Sequence, residues 1–115
     1  MTSDCLFCKI IAGIIPVKPL HDDADLIAIQ DINPQAPLHA LIIPKKHIAS
    51  LNDLAAEDDA LVGSMFRRAA AIAKERGFSS LGYRTVFNTG PQAGQSVFHI
   101  HLHVLAGRSL HWPPG

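Results

Sequence analysis

Residues 99–105 read HIHLHVL, with a histidine at every second position. Side chains of a β-strand alternate between its two faces. In an extended chain, His99, His101 and His103 therefore point one way and the aliphatic residues between them point the other. A rise of about 3.3 Å per residue places neighbouring imidazoles roughly 6–7 Å apart. The stretch predicts a strand with one apolar face on the core and one histidine face along a pocket.

The histidine face is chemically versatile, because imidazole is the side chain whose unperturbed pKa lies nearest neutral pH. Three imidazoles in a row can supply a nucleophile, an acid and hydrogen-bond donors on the two sides of a phosphoryl centre. The alternative is a solvated strand face that happens to be rich in histidine. The clean alternation with aliphatic residues favours the functional interpretation.

Length and composition narrow the class of protein. The 115 residues suffice for one domain, residues 1–115, with a single core. Hydrophobic residues make up 48% of the chain and its formal net charge is zero. Since no run of Lys or Arg occurs, we expect no nucleic-acid partner. The apolar stretches are far shorter than the ~20 residues that cross a bilayer, and the first residues show no basic-then-apolar export pattern. We therefore expect a soluble cytoplasmic protein without a membrane partner.

The rest of the chain predicts an α+β fold with an antiparallel sheet, since several strands follow one another and one helix is long. Apolar spacing within residues 4–12, stopped by Gly13, predicts a short N-terminal helix. A long helix is predicted over residues 56–76, ending at Gly77. Its expected buried face comprises Leu61, Val62, Met65, Ala69, Ile72 and Ala73. The predicted strands are residues 26–29, 39–44, 83–88 and 99–105, and the predicted turns and loops are residues 21–25, 31–37 and 89–96.

Two further motifs carry chemistry. Cys5 and Cys8 are too close together in sequence for a disulfide between them to cross-link distant parts of the fold. In a reducing compartment a Cys-x-x-Cys pair indicates metal ligands or a redox motif. The alternative is two free thiols packed in the first helix. The sequence Gly94-Gln95-Ser96 precedes the histidines, and its backbone N–H groups can cradle phosphate oxygens. A plain hairpin loop is the alternative there.

Together these residues resemble the histidine triad (HIT) superfamily, whose signature is His-φ-His-φ-His-φ-φ with φ apolar. Further similarity to its nucleotide-binding, phosphoramidase branch lies in DINPQAPLH at residues 31–39, IPKKH at 43–47, the Gly-Gln-Ser loop and HWPPG at 111–115. The resemblance covers nearly the whole chain in order. It implies a HIT-like fold, an antiparallel sheet of about five strands with one long helix and a short N-terminal helix, and sheets joined across a homodimer.

The resemblance also implies a reaction. His101 attacks the α-phosphorus of a nucleoside 5′-phosphoramidate or an aminoacyl adenylate, and water hydrolyses the nucleotidyl-histidine to release AMP or GMP. His103 binds a phosphate oxygen, His39 orients or polarises the His101 system from the neighbouring strand, and Ser96 contacts the leaving group. The implied catalytic set is His101, His103, His39, Ser96 and His99.

The implied nucleotide site adds a ribose partner, a phosphate cradle and an apolar purine slot. Asp31 would accept the ribose hydroxyls. For the apolar members, an ordinary place in the core is the alternative. The full set is Asp31, Ile32, Asn88, Gly94, Gln95, Ser96, His101, His103, Phe7, Ile10, Ile15 and Ile29.

A metal and a dimer complete what the resemblance implies. A structural zinc would be held by Cys5, Cys8, His47 and His99, a closed Cys₂His₂ set, and no organic cofactor is expected. An unpaired strand edge at residues 83–88 and an apolar helix surface also favour a twofold homodimer. Trp112 would then reach the partner's active site.

Three other functions stay open at this point. Other branches of the superfamily hydrolyse dinucleoside polyphosphates with the same triad. A catalytic metalloenzyme could bind zinc through His99, His101 and His103, with an open position for water. A non-enzymatic nucleotide-binding or scaffold protein is the third alternative.

Overall fold

The computed structural model describes residues 4–115, and residues 1–3 of the predicted domain lie outside this part. Its centre is an antiparallel sheet with the strand order β1-β2-β3-β5-β4. The strands are β1 (His21–Asp22), β2 (Leu26–Gln30), β3 (Leu38–Pro44), β4 (Tyr83–Val86) and β5 (Leu102–Ala106). The α-helices are α1 (Leu6–Ile11) and α2 (Asp59–Glu75), and short 3₁₀ turns occupy Leu51–Asp53, Ala56–Asp58 and Pro91–Ala93. The predicted α+β class, antiparallel sheet and pair of helices are confirmed.

The central strand β3 separates two apolar clusters. Every residue of β3 is buried, because both faces of the strand are covered. Leu38, Ala40 and Ile42 pack in the cluster that contains α2. Leu41 and Ile43 pack in the second cluster, with α1 and the alternate residues of β2. The period-two alternation of a strand therefore assigns one face of the sheet to the long helix and the other to the N-terminal helix.

Helix α2 buries the predicted face through Met65, Ala69, Ile72 and Ala73, whereas Leu61 and Val62 are only partly buried. It begins at Asp59 rather than at residue 56, because residues 56–58 form a 3₁₀ turn. The Asp58 carboxylate stabilises that turn by accepting hydrogen bonds from the Ala55 N–H and the Lys46 ammonium. Among residues 4–115, no helix is long and apolar enough to cross a membrane.

The prediction of a strand over residues 99–105 is wrong at its start, because β5 begins only at Leu102. The backbone of His99 to His101 is irregular, and the N–H of Ile100 bonds the Ile48 carbonyl instead of a neighbouring strand. The His101 and His103 ring centroids lie 5.0 Å apart, closer than the predicted 6–7 Å.

Two smaller differences concern the sheet edges. Residues 21–25 are not only a turn, since β1 pairs His21 with Ala28 of β2. A strand of 2 residues is too short to produce a recognisable pattern. At the opposite edge β4 ends at Val86, so Asn88 lies in the loop that follows.

Candidate active site and metal centre

A cavity of about 660 Å³ opens between α1 and the face of the sheet that carries Leu41. This volume suits a small-molecule ligand. Every predicted nucleotide-binding residue except Gln95 lines it. Phe7, Ile10, Ile15 and Ile29 form an apolar part, and Asp31, Asn88, Ser96 and the histidines form a polar part. Ile32 is fully exposed and lies at the rim.

The sequence analysis missed several lining residues. They are Leu6, Pro16, Val17, Lys18, Gln30, Leu41 and Val97. Leu41 carried a usable signal, because it lies two residues from His39 on the same face of β3 and pairs with both Ile29 and His103. Pro16 to Lys18 come from an irregular segment after α1, where no periodicity points to the cavity.

Gln95 acts inside the loop rather than in the cavity. Its buried side-chain oxygen accepts from the Gly90 N–H at 3.0 Å. Its amide donates to the Ala49 carbonyl at 2.8 Å and to the Val97 carbonyl at 3.2 Å. Next to it, Gly94 has φ +84°, a conformation that favours glycine. The side chain of Gln95 therefore holds the shape of the loop that presents Gly94 and Ser96 to the cavity.

His101 is held in one tautomer. Its Nδ1 lies 2.8 Å from the carbonyl oxygen of His99. Because a carbonyl only accepts, Nδ1 carries the proton and Nε2 keeps its lone pair. Burial lowers the pKa of His101, so the neutral ring is favoured. The ring of Phe7 packs edge-on against the imidazole, with centroids 4.9 Å apart.

A relay of hydrogen bonds orients His103. The Gln35 N–H donates to Nδ1 of His39, so the neutral His39 ring carries its proton on Nε2. That Nε2 lies 2.9 Å from Nδ1 of His103 and 3.4 Å from a carboxylate oxygen of Asp31. His103 then accepts at Nδ1 and keeps an N–H on Nε2. The sequence analysis assigned His39 to the His101 system, but the ring that His39 contacts is His103.

The electrostatics of His103 agree with this arrangement. Burial lowers its pKa to about 4, and the neighbouring His101 and His39 act in the same direction. Asp31 opposes the shift more weakly. At neutral pH the ring is therefore an uncharged hydrogen-bond donor at the cavity wall.

His99 belongs to a second cluster. Cys5, Cys8, His47 and His99 bring one ligand atom each to within 4.8 Å of one another. Nδ1 of His99 lies 3.4 Å and 3.6 Å from the Sγ atoms of Cys5 and Cys8. Nδ1 of His47 lies 3.3 Å from Sγ of Cys8 and 3.1 Å from Nδ1 of His99.

These distances fit a metal ion with four ligands in tetrahedral coordination. Metal–sulfur distances of about 2.3 Å and metal–nitrogen distances of about 2.0–2.1 Å imply sulfur–nitrogen edges of roughly 3.6 Å and a nitrogen–nitrogen edge of roughly 3.3 Å. Nε2 of the buried His99 lies 2.7 Å from the Pro44 carbonyl, which leaves Nδ1 free to bind a metal. The cluster can therefore hold a metal ion.

The same geometry argues against a catalytic metal bound by the three triad histidines. That alternative requires His99, His101 and His103 to converge on one point. Instead, the ligand atom of His99 joins the cysteines, and Nδ1 of His101 bonds a carbonyl. The other group of converging ligand atoms among residues 4–115 is Asp31, His39 and His103, which are already linked by the contacts given above. The three triad histidines do not form a metal site.

Comparison with known proteins agrees with this geometry. The family model described as "Scavenger mRNA decapping enzyme C-term binding" matches residues 4–111. The structure of a HIT family hydrolase from Legionella pneumophila is similar, with 51% identity, a TM-score of 0.95 and coverage of 97% of this chain and 100% of that one. A histidine triad protein from Clostridium difficile is 41% identical, with a TM-score of 0.92 and 96% of both chains covered.

Sequence relatives lead to the same assignment. A HIT-like protein of Synechococcus elongatus is 49% identical over the full length of both chains. Protein HitA of Neisseria gonorrhoeae is 44% identical over 102 residues, which are 89% of this chain and 94% of that protein. The chain therefore belongs to the HIT family.

The depressed pKa of His103 predicts an acid-sensitive fold. An unfolded histidine titrates near pH 6.5, so between about pH 6.5 and pH 4 the unfolded chain binds the proton more readily than the native one. The stabilising contribution is present above pH 6.5 and is lost as pH falls through this window. In His103→Asn, the free energy of unfolding should fall less steeply from pH 6.5 to pH 4 in urea titrations. His111→Asn, in the exposed tail, should behave as wild type. Equal slopes in all three proteins would contradict the assignment.

Proposed function

We propose that this protein is a hydrolase that cleaves purine nucleoside 5′-phosphoramidates and aminoacyl adenylates through a covalent nucleotidyl-His101 intermediate. The observation that supports this proposal is the hydrogen bond from Nδ1 of His101 to the His99 carbonyl. It leaves the unprotonated Nε2 of a cavity-lining histidine available for attack. Neither AMP nor GMP is preferred by any observation, so both are proposed products.

The first step forms a bond from Nε2 of His101 to the α-phosphorus and breaks the bond from phosphorus to the leaving nitrogen. The departing amine takes a proton from solvent, and the Ser96 hydroxyl lines the same cavity and can contact the amine. In the second step water attacks phosphorus and releases a proton to solvent, the bond from phosphorus to Nε2 of His101 breaks, and the nucleoside monophosphate leaves. Neutral His101 is regenerated, so two easier displacements replace a single difficult one.

His103 stabilises the charge that develops on phosphorus. Its Nε2–H is free to donate because His39 occupies Nδ1. A donor fixed in place before the reaction costs no reorganisation in the transition state. The N–H groups of Gly94 and Gln95 bond the carbonyls of Pro91 and Gly90, so these two donors are engaged within the loop. His39 is thus proposed to act on phosphate binding through His103.

Recognition of the nucleoside uses the apolar part of the cavity. Phe7, Ile10, Ile15 and Ile29 offer a slot for a flat purine, and Leu41 extends it. Asp31 lines the cavity with a carboxylate that can accept two ribose hydroxyls, while one of its oxygens also accepts from the Asn33 N–H. A few placed polar groups in an apolar pocket are typical of small-molecule sites.

Cleavage of a nucleotide anhydride is the second candidate reaction. The matching family model is named for an mRNA decapping enzyme. This name favours a reaction that breaks a phosphorus–oxygen bond. The same attack by His101 applies to a dinucleoside polyphosphate. Parallel kcat/KM measurements with an adenosine phosphoramidate and a diadenosine polyphosphate decide between the two. Absence of any nucleotidyl adduct with either would favour a binding or scaffold role.

We also propose that the Cys5, Cys8, His47 and His99 cluster holds a structural zinc ion. Four protein donors of the types zinc prefers leave no open position for water. The zinc would tie α1, which carries Phe7 and Ile10, to the sheet. Thiolate ligands require a reducing compartment, which supports a cytoplasmic location.

A twofold homodimer is proposed for the edge of the sheet at β4. One side of this strand pairs with β5, and its other side has no partner strand among residues 4–115. Phe66 of α2 is partly exposed and packs edge-on against Phe87 nearby. Trp112, in the C-terminal tail, is 82% exposed in the single chain. A partner subunit would cover the edge and bring the tail near the second active site.

The nucleophile is tested by His101→Asn. Because a nucleophile contributes to the transition state far more than to ground-state binding, kcat should fall roughly a thousandfold or more. The Kd for AMP should stay within about threefold of wild type. Intact-mass analysis with a slow adenosine phosphoramidate should show an adduct in wild type and in the control His21→Asn. Activity of His101→Asn above about a tenth of wild type would exclude the role.

The zinc proposal is tested by Cys5→Ser and Cys8→Ser. Wild type and His21→Asn should contain about one zinc per chain by elemental analysis. The two serine variants should lack zinc and melt roughly 5 °C or more lower, since a closed site contributes to folding, yet retain residual hydrolysis. Zinc-free wild type purified without chelator would contradict the proposal.

The dimer is tested by light scattering and by deletion of residues 111–115. Wild type at micromolar concentration should show twice the mass of the chain. The deletion should change kcat/KM by amounts that differ between leaving groups and leave the AMP affinity nearly unchanged, because residues 111–115 do not line the cavity of their own chain. A monomer mass would exclude both the dimer and this role of the tail.

A further inference from the structure

One residue, His99, contacts both the candidate metal centre and the proposed nucleophile, His101. Its ring lies in the metal cluster, with Nδ1 3.4 Å from Sγ of Cys5. Its backbone carbonyl accepts the hydrogen bond from Nδ1 of His101 at 2.8 Å. His99 therefore connects the metal cluster, through its ring, with the orientation of His101, through its backbone carbonyl.

Phe7 provides a second link between the same two sites. It lies between Cys5 and Cys8 in the first turn of α1 and is 4% exposed. Its ring packs edge-on against His99, with centroids 5.9 Å apart, and against His101, with centroids 4.9 Å apart. The position of Phe7, which packs against His101, therefore depends on Cys5 and Cys8 on either side of it.

Residues 99–101 are not held by the hydrogen bonds of the sheet. Pairing of β5 with β3 starts at Leu102, and pairing with β4 starts at His103. Before that point the chain is anchored by the Ile100 N–H on the Ile48 carbonyl and by the His99 ring on the Pro44 carbonyl. Since His101 precedes the ladder, its position depends on how firmly His99 is held.

We propose that the Cys5, Cys8, His47 and His99 metal centre positions the nucleophile, and that His99 and Phe7 are the positioning residues. This inference rests on the proposed function, in which His101 attacks phosphorus. A bound metal fixes the His99 ring and α1 together, and the His99 carbonyl and Phe7 ring then hold His101 in attack geometry. A misplacement of about 1 Å can cost about 10²-fold in rate. The metal centre would therefore influence kcat without touching substrate.

His47 offers the sharpest test, because it belongs to the metal cluster and is not among the residues that line the cavity. His47→Ala removes one ligand, whereas His47→Cys keeps four donors in a Cys₃His set that zinc also accepts. The measured quantity is the single-turnover rate of nucleotidyl-His101 formation at saturating adenosine phosphoramidate. Metal content and folding by circular dichroism are recorded for each protein.

His47→Ala should be metal-free, folded at the assay temperature and about ten- to a hundredfold slower than wild type. His47→Cys should bind metal and stay within about threefold of wild type. Ile72→Val, on the buried face of α2, controls for lost stability and should form the adduct at the wild-type rate. A folded, metal-free His47→Ala that matches wild type would overturn the inference, as would an Ile72→Val slowed as much as His47→Ala.

A spectroscopic measurement tests the coupling without turnover. Wild type is loaded with ¹¹³Cd²⁺ in place of zinc and saturated with AMP. Because the His101 ring, the His99 carbonyl and the His99 ring are linked, the ¹¹³Cd resonance should shift on binding. An unchanged resonance in AMP-saturated protein would contradict the coupling. If wild type forms no adduct with any substrate, the proposed function fails, and the ¹¹³Cd measurement still decides whether the two sites are linked.

Discussion

Complete burial of β3 is the constraint on which the rest of the molecule depends. Both faces of a central strand must be covered, and alternation sends Leu38, Ala40 and Ile42 to one side and His39 and Leu41 to the other. The long helix covers the first side completely. The short α1 covers only part of the second, and the remaining space is the cavity. The site therefore exists because a six-residue helix cannot close the face of the sheet that a seventeen-residue helix closes on the other side.

Directional hydrogen bonds then turn three similar rings into groups with different roles. Each ring has one nitrogen occupied by a fixed partner: the Pro44 carbonyl for His99, the His99 carbonyl for His101 and the His39 ring for His103. In the proposed function the free nitrogen would be a metal ligand in His99, a nucleophile in His101 and a donor in His103. Burial lowers the pKa of all three rings and favours their neutral forms, in which these roles are distinct.

The metal cluster and the cavity share a wall rather than lying apart. Phe7 packs against both His99 and His101, and α1 supplies cysteines to one site and apolar residues to the other. In a short helix with one buried face, the two sets of side chains cannot move independently. This shared wall explains why a cluster that can hold a metal ion lies beside groups that contact substrate in the proposed reaction.

The sequence by itself determined the antiparallel α+β class and the two helices, because alternation, helical spacing and the family signature are local patterns. It also predicted 11 of the 18 residues that line the cavity. It also predicted the four residues of the metal cluster. Only the tertiary structure decided that His99 separates from the other two histidines, that His39 contacts His103, and that Gln95 faces into its loop. These outcomes depend on backbone groups, namely the Pro44 carbonyl for His99, the Gln35 N–H for His39 and the Ala49 carbonyl for Gln95. Nearly every residue carries the same backbone groups. No pattern of side chains can therefore show which backbone group lies within reach once the chain has folded.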